Sequence, residues 1–336
     1  MGGGRILSGT MRGICLGTCL VAMLCAAASA AGAQDWPTRP VTMVVPFAPG
    51  GVYDTLGRVY AAALSPILGQ QIVVENVPGA GGVTGAMRVV RADADGYQLL
   101  FGGESPNAQV QLMHLKPPYD AARDFAPVAL VSEQPLILTV RSGIPAGDLH
   151  AFIAYAKANQ GKMQYGSPGT GSGSHLACAL FDAALQISVT HVPYRGLGPA
   201  MQDLLAGRID FLCPTITTAM PQLQAHTIQA PAVLGAKRSA AFPDIPTAQE
   251  QGIKDFDANS WNAIFMPKAT PPAVVAKLNT AVIAAMGQPE VQARLKQLGA
   301  SLPPAVERSP QYLQSLVERE IKTWGAAIKA AGITPD

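Results

Sequence analysis

Charged residues are scarce in this sequence. They make up 14% of its 336 residues, and the formal net charge is only +2 at pH 7. The first 33 residues contain two arginines, Arg5 and Arg12, and no other charged side chain, so the remaining chain carries no net charge. A nucleic-acid-binding protein needs a basic surface that neutralises phosphates. The composition therefore excludes nucleic acid as a partner.

Cysteine is scarce as well. Three of the five cysteines lie in the first 33 residues, which leaves Cys178 and Cys213. Two isolated cysteines lack the paired spacing of a metal site and can form one disulfide at most. We expect two buried thiols, with a disulfide as the alternative, and we expect no metal ion and no cofactor.

The first 33 residues have the composition of a targeting segment. Arg5 and Arg12 are followed by the apolar run "ICLGTCLVAMLCAAA" and by the small residues "AGA" before Gln34. This order is typical of a secretory signal peptide. The run is short for a transmembrane helix, although a retained membrane anchor is the alternative. We predict that residues 1–33 are removed on export, and we exclude them from the fold.

From residue 41 the sequence alternates between strand and helix patterns. The β-branched run "VTMVVPF" predicts a buried parallel strand, and apolar residues at three- and four-residue spacing predict a helix from Thr55 to Leu68. The runs "QIVVEN" and "YQLLFGG" predict two more strands, with a helix at "GGVTGAMRVVRA" between them. Such alternation is typical of a doubly wound α/β layer.

The alternation starts again in the second half. Helices are predicted at "LHAFIAYAKAN", "HLACALFDAAL" and "GPAMQDLLAG", and strands at "MQYGSP", "SVTHVPY" and "IDFLCPT". Beyond residue 250 the segment "WNAIFMP" predicts a return strand. Three helices follow, each with proline near its first turn. Their predicted bounds are Pro272 to Met286, Pro289 to Leu298 and Pro310 to Ala330.

A chain of about 300 residues exceeds what one core usually holds, which predicts two lobes. We assign residues 34–137 and 259–336 to the first lobe and residues 138–258 to the second. The chain then crosses between the lobes twice, and two crossover strands make a hinge. The predicted fold class is therefore α/β with two lobes, each a sheet flanked by helices.

The segment "PFAPGGVYD" joins the first strand to the first helix. Ligands of open α/β sheets bind beyond the carboxyl ends of the strands, where helix N-termini offer unpaired N–H groups and a partial positive charge. Gly50 and Gly51 let a ligand approach the backbone, which predicts an anion site; a tight turn without a ligand is the alternative. We expect Asp54 to accept hydrogen bonds from backbone N–H groups, because a carboxylate would repel a bound anion.

The segment "YGSPGTGSGSHLA" repeats this arrangement with more hydroxyl groups. Hydroxyls and bare amides in one turn can surround an oxyanion without a formal positive charge. A flexible linker has a similar composition, but the flanking strand and helix favour a binding loop. The candidate contacts are Ser167, Gly169, Thr170, Gly171, Ser172, Ser174 and His175. His175 either donates one N–H to a ligand or only satisfies the loop.

Two further strand-to-helix turns, "HVPYRGLGPAM" and "FGGESPNAQ", add candidates. Arg195 either clamps a carboxylate with its guanidinium or lies at the rim of the cleft. Glu104 is expected to be solvated or structural. The candidate contacts from these turns are Tyr194, Arg195, Gly196, Ser105 and Asn107.

The sequence gives little support for a catalytic motif or a dinucleotide-binding motif. The segment "GAGGVTG" has G-x-G-x-x-x-G spacing, and the next strand does not end in the acidic residue that a dinucleotide site needs. No G-x-S-x-G motif surrounds Ser167, Ser172 or Ser174. A secreted hydrolase or isomerase that uses His175 with Asp54 or Ser174 stays open as the competing class.

The motifs taken together resemble a known family. "RPVTMVVPFAPGGVYD", "PGAGGVTGA", "DGYQLL", "RDFAPVALV", "YGSPGTGSGSHLA", "HVPYRGLGPAMQDLLAG" and "PDIPTAQEQG" stand in the order found in Bug receptors, the substrate-binding receptors of tripartite tricarboxylate transporters. The resemblance runs from about Trp36 to Ile333. It implies a periplasmic binding protein of the Venus flytrap type, type II-like, that captures a small organic carboxylate without covalent chemistry. The implied partners are the membrane permease subunits, and we expect a monomer; a ligand-sensing subunit is the alternative.

The resemblance also implies where the ligand binds. In such receptors, backbone amides and hydroxyls of the strand-to-helix loops hold the carboxylate. Carried onto this sequence, that points to Gly50 through Asp54 in the first lobe, and to Ser167 through His175 and Tyr194 through Gly196 in the second. Val52 and Tyr53 are bulkier than the residues that many relatives carry there. We therefore expect a narrower first-lobe half of the site, and the sequence leaves the identity of the acid open.

Overall fold

The computed structural model describes residues 36–254, 256–330 and 333–335. The predicted signal peptide lies outside the described residues. Within the described ranges, no helix combines the length and the apolar character needed to cross a bilayer.

The first sheet has five strands in the order β2-β1-β3-β10-β4. Strand β1 pairs in parallel with β2 and with β3, whereas β10 runs antiparallel to β3 and β4. Both faces of this sheet are covered, so the β-branched run at its start is buried except for the half-buried Thr42, as expected for a covered parallel strand. The strands are β1 (Val41–Val45), β2 (Ile72–Asn76), β3 (Gln98–Gly103), β4 (Phe125–Pro135) and β10 (Asn259–Pro267).

The second sheet also has five strands, in the order β7-β6-β8-β5-β9. Strand β6 pairs in parallel with β7 and β8, and β5 runs antiparallel to β8 and β9. The two sheets therefore share one plan, with two parallel pairs at one side and antiparallel pairs at the other. The strands are β5 (Ile137–Arg141), β6 (Gln164–Ser167), β7 (Thr190–Pro193), β8 (Phe211–Leu212) and β9 (Ile228–Val233).

Nine α-helices of eight or more residues cover the two sheets within the described part of the chain. The three C-terminal helices begin at the prolines that the sequence analysis used as start signals, because proline fits the first turn of a helix. The helices are α1 (Val52–Leu68), α2 (Val83–Val90), α3 (Leu149–Asn159), α4 (Gly173–Leu185), α5 (Leu197–Leu205), α6 (Ile216–Gln224), α7 (Pro272–Met286), α8 (Pro289–Gln297) and α9 (Pro310–Ala330).

The chain passes between the sheets along two adjacent segments. Strand β4 of the first sheet runs into β5 of the second through the single residue Leu136. The backbone N–H of Leu136 donates to the carbonyl of Ala258 at 3.1 Å, and the N–H of Leu234 donates to the carbonyl of Leu136 at 2.8 Å. The segment that returns to β10 therefore lies beside the outgoing one, and together they form a two-stranded hinge.

A disulfide lies in the core of the second lobe. Cys178 in α4 and Cys213 after β8 are bonded, with a Cα–Cα distance of 5.7 Å, and both residues are fully buried. The expectation of two free thiols is therefore wrong. Helix α4 packs over the sheet that contains β8, so the fold brings together two cysteines that are 35 residues apart in sequence.

Candidate functional site

A cavity of about 30 Å³ lies between the two lobes. A cavity of this volume holds only a few water molecules and is smaller than a ligand with several heavy atoms. The first lobe contributes Phe47, Gly51, Val52, Tyr53, Glu104, Ser105 and Ser260 to the lining. The second lobe contributes Pro168, Ser172, Gly173, Ser174, Leu197, Cys213 and Thr215, and Leu136 contributes from the hinge.

Four α-helices begin at this cavity. Gly51 is the N-cap of α1, Ser172 is the N-cap of α4, Leu197 is the first residue of α5 and Thr215 is the N-cap of α6. Each helix start carries unpaired N–H groups and a partial positive charge. Among the described residues that line the cavity, none is lysine, arginine or histidine, and only Glu104 bears a carboxyl group. The site therefore favours anions through backbone dipoles.

Six of the sequence-predicted residues line the cavity. The remaining candidates do not line it. The six are Gly51, Val52, Tyr53, Ser105, Ser172 and Ser174. The others are Gly50, Asp54, Asn107, Ser167, Gly169, Thr170, Gly171, His175, Tyr194, Arg195 and Gly196.

Asp54 orders the loop at the start of α1. Its Oδ2 accepts from the backbone N–H of Gly50 at 3.1 Å, and its Oδ1 accepts from Arg58 Nε at 2.9 Å and from Asn76 Nδ2 at 3.1 Å. The carboxylate is buried and lies outside the cavity lining. This geometry matches the expectation that Asp54 binds the loop's own N–H groups.

We expect Asp54→Ala to lower the free energy of unfolding by about 2 kcal/mol, because it removes hydrogen bonds to a charged acceptor and leaves the N–H of Gly50 without its partner. Urea unfolding measures this change. Asp95→Ala is a suitable control, since Asp95 pairs with Arg39 on the exposed surface, and we expect at most about 1 kcal/mol there. Equal losses in the two variants would contradict the role of Asp54.

The glycine-serine loop before α4 is held by its own hydroxyl groups. Ser172 Oγ donates to the carbonyl of Gly169 at 2.6 Å and accepts from the N–H of His175 at 3.3 Å. Ser167 Oγ accepts from the N–H of Gly169 at 3.1 Å. Ser174 also lines the cavity, and its Oγ is buried without a hydrogen-bond partner. The loop therefore presents one unsatisfied hydroxyl to the cavity.

Two histidines stack behind this loop. His175 Nδ1 accepts from the N–H of Gly171 at 3.1 Å, and its ring lies 4.1 Å from the ring of His191. Burial, together with His175, lowers the pKa of His191 to about 3, so His191 is neutral at physiological pH. His191 Nε2 lies 2.6 Å from Ser167 Oγ. No sequence pattern predicted this serine–histidine pair, and both residues lie outside the cavity lining.

The lobes touch through glycine-rich segments at the cavity edge. The backbone N–H of Ala48 in the first lobe donates to the carbonyl of Arg195 in the second at 3.1 Å. Gly81 has a φ of +64°, and a Cβ placed on it would lie 2.3 Å from the carbonyl oxygen of Thr170. The glycines that flank the lobe boundary therefore permit direct backbone contact between the lobes.

Three other candidates lie outside the cavity lining. The Arg195 side chain is exposed. Arg195 joins the lobes through its backbone carbonyl, which accepts a hydrogen bond from the N–H of Ala48. Tyr194 donates its hydroxyl proton to Asp203 Oδ2 at 2.8 Å. Asn107 Oδ1 accepts from the N–H of Gly103 at 3.0 Å, which fixes the turn after β3.

The candidates named individually from the sequence omit nine of the residues that line the cavity, although Pro168 and Gly173 fall within the predicted range Ser167 through His175. Glu104 is the most informative of them, because it is only 1% exposed; of the two expectations for Glu104, the solvated one is therefore wrong. Its position directly after β3, at the carboxyl end of a parallel strand, was a usable signal. The nine are Phe47, Glu104, Leu136, Pro168, Gly173, Leu197, Cys213, Thr215 and Ser260.

The sequence of this chain matches a known receptor family. Residues 56–333 match the family described as tripartite tricarboxylate transporter family receptor. The chain belongs to this receptor family. The Protein BugT of Bordetella pertussis is 33% identical over 306 residues, covering 91% of this chain and 93% of BugT. The Bug resemblance read from the sequence is therefore confirmed.

Solved structures of similar receptors confirm the fold class. MatC from Rhodopseudomonas palustris, with bound malate, is 38% identical with a TM-score of 0.85, over 87% of this chain and all of MatC. A second R. palustris protein, with adipate, is 36% identical with a TM-score of 0.86, over 90% of this chain and all of that protein. The periplasmic binding protein BugD has a TM-score of 0.84 at 35% identity, over 89% of this chain and 99% of BugD. The two-lobe periplasmic binding protein fold is thus established for this receptor.

Proposed function

We propose that this receptor acts in the periplasm, closes its lobes around a small organic carboxylate and delivers it to membrane permease subunits without chemical change. The observation that carries the proposal is the convergence of four helix N-termini on one cavity whose described lining contains no cationic side chain. Such a site attracts an anion through fixed dipoles. The bound malate and adipate of the two similar proteins support a carboxylate.

The lining suggests how the two parts of a carboxylate are recognised. Backbone N–H groups at the starts of α1 and α4 are the proposed contacts of the carboxylate oxygens. Apolar side chains line the same cavity and are the proposed contacts of the hydrocarbon part; they are Phe47, Val52, Tyr53, Leu136 and Leu197. Hydrogen bonds to a charged group contribute about 1.5 to 3 kcal/mol each, so three or four are compatible with micromolar affinity after ordering costs.

Gly51→Val tests the site. The φ of Gly51 is −89°, which any residue adopts, and an added Cβ would make an ordinary 3.8 Å contact with Leu197 Cβ. We therefore expect the fold to be retained, while the valine methyl groups fill the cavity and weaken binding by at least about a hundredfold, or about 2.7 kcal/mol. Isothermal titration calorimetry with malate, adipate and benzoate measures the loss.

The matched control is Gly147→Val. Gly147 is exposed, and an added Cβ there meets no atom within 4 Å, so binding is expected to match that of the unmodified receptor. If Gly51→Val binds with unchanged affinity, the proposed site is wrong. Incubation with the same acids separates a receptor from an enzyme. Thermal stabilisation of the protein without turnover supports the receptor, whereas product formation supports the hydrolase or isomerase.

A further inference from the structure

Glu104 places a carboxyl group inside the cavity. It follows β3 directly, is only 1% exposed, and lines the cavity from the first lobe. A Cβ placed on Gly173 of the second lobe would lie 3.2 Å from Glu104 Oε2. The carboxyl group therefore reaches across the cleft to the first turn of α4, where a ligand carboxylate is proposed to bind.

The two oxygens of this carboxyl group have different surroundings. Glu104 Oε1 accepts a hydrogen bond from Gln109 Nε2. Glu104 Oε2 is buried and has no hydrogen-bond partner. A proton on this group therefore belongs on Oε2, because Oε1 is already occupied as an acceptor. The Oε2 hydroxyl then offers a donor to the cavity.

The charges around Glu104 favour its neutral form. Burial raises its pKa well above the ordinary value, and the negative charge of Glu320 in α9 raises the pKa further; Gln109 and Ser260 oppose this shift. Tyr53 in α1 faces Glu104 with a phenol whose own pKa is raised by burial and by Glu104. In the first turn of α4, His175 points to Gly171 and His191. Neither Glu320 nor Tyr53 can supply a stabilising positive charge.

An anionic ligand would strengthen this preference. The positive end of α4 favours one negative charge, and the ligand supplies it. Two adjacent carboxylates without a cation between them do not both stay ionised. The proton therefore stays on Glu104 when a carboxylate binds.

We propose that Glu104 recognises the ligand as a neutral carboxylic acid, with its Oε2 hydroxyl donating a hydrogen bond to a carboxylate oxygen of the ligand. This inference rests on the proposed function of the cavity. Ser174 Oγ, the unsatisfied hydroxyl from the second lobe, is the matching donor across the cleft. Binding of the anion is then linked to one proton, and affinity falls as pH rises through the pKa of Glu104 in the free receptor.

The test is the pH dependence of affinity for malate, adipate and benzoate, measured by calorimetry between about pH 5 and pH 9. The unmodified receptor is expected to lose about tenfold in affinity per pH unit above the Glu104 pKa, with uptake of one proton on binding. Glu104→Gln keeps a donor N–H in the same place, so it is expected to bind with a flat pH profile. Glu104→Leu offers no donor and is expected to bind at least about tenfold more weakly at low pH.

Asp182→Asn is the matched control. Asp182 is another buried carboxyl group, in α4 but outside the cavity lining, and burial raises its pKa to about 8. Its variant is expected to keep the pH profile of the unmodified receptor. Infrared spectra add a ligand-independent readout, because the unmodified protein minus Glu104→Gln is expected to show the carbonyl band of one protonated carboxyl group at neutral pH.

The outcomes separate the two proposals. If none of the three acids binds the unmodified receptor at any pH, the proposed function fails and this inference fails with it. If an acid binds and the infrared difference shows an ionised carboxylate at neutral pH, or if the affinity of Glu104→Gln falls with pH as that of the unmodified receptor does, only the role of Glu104 is overturned. Loss of binding in Glu104→Gln, with tight binding of glutamate to the unmodified receptor, would also overturn it, because Glu104 would then be an ionised acceptor for an ammonium group.

Discussion

Gly198→Ala is expected to weaken carboxylate binding by about ten- to a hundredfold, or about 1.4 to 2.7 kcal/mol, without destabilising the fold. Gly198 is the second residue of α5, and a Cβ placed on it would lie 2.5 Å from the carbonyl oxygen of Pro49 in the first lobe. The clash would be between the new Cβ and a backbone carbonyl oxygen, so no rotation of a side chain can relieve it. The lobes must stay slightly apart, and the population that binds tightly falls.

The same substitution is expected to leave the stability of the fold unchanged or to raise it. Alanine is a better helix former than glycine by up to about 1 kcal/mol, so α5 itself gains from the substitution. The expected combination is therefore weaker binding in a protein that unfolds at the same or a higher urea concentration. A substitution that damaged the fold would instead lower both quantities.

The matched control is Gly325→Ala in α9. It makes the same chemical change in a helix, but its added Cβ would lie 3.8 Å from Leu112 within the first lobe, which is an ordinary contact. We expect unchanged affinity for this variant by calorimetry. Equal affinities for the Gly198 and Gly325 variants would show that contact between Gly198 and Pro49 is not part of the binding conformation.

The sequence could predict loops better than it could predict side-chain directions. Glycine and serine after "MQYGS" correctly indicated a strand-to-helix turn at the cavity, because turn chemistry is local. Ser167 and Ser174 belong to that one turn, yet Ser167 bonds within the loop and pairs with His191, whereas Ser174 lines the cavity and its hydroxyl has no hydrogen-bond partner. Which hydroxyl faces the ligand depends on the neighbouring strand, and no spacing rule contains that information.

The sequence predicted two crossings between the lobes, but it did not indicate that residues in them line the cavity. Leu136 and Ser260 lie in the two crossing segments, whose apolar composition reads as ordinary core strand. They reach the cavity only because the crossings lie beside each other at the hinge. Such positions follow from tertiary arrangement, so a single sequence does not distinguish them from core residues.

Two elements of the second lobe were missed for a local reason. Helix α6 contains Pro221, and strand β9 contains Pro231, so neither segment has an uninterrupted pattern. Strand β9 lies at the edge of its sheet, where a proline costs no ladder hydrogen bond on the outer side. The fold tolerates both prolines through their positions, and those positions are known only once the sheet order is known.

Replacing both cysteines, as Cys178→Ala with Cys213→Ala, is expected to lower the free energy of unfolding by about 3 to 4 kcal/mol. The two cysteines are 35 residues apart, and a crosslink over a loop of that length restricts the unfolded chain strongly. The bond also joins α4 to the segment after β8, and these two elements carry Ser172 and Thr215 at the cavity. We therefore expect the second lobe of the double variant to unfold before the first lobe.

Urea unfolding in the presence and absence of a reductant measures this effect with an internal control. Reductant is expected to lower the unfolding midpoint of the unmodified receptor toward that of the double variant, and to leave the double variant unchanged. A disulfide that matters for stability requires an oxidising compartment, which supports export of this chain to the periplasm. If the double variant unfolds at the same urea concentration as the oxidised receptor, the disulfide contributes nothing to the fold, and this support for export disappears.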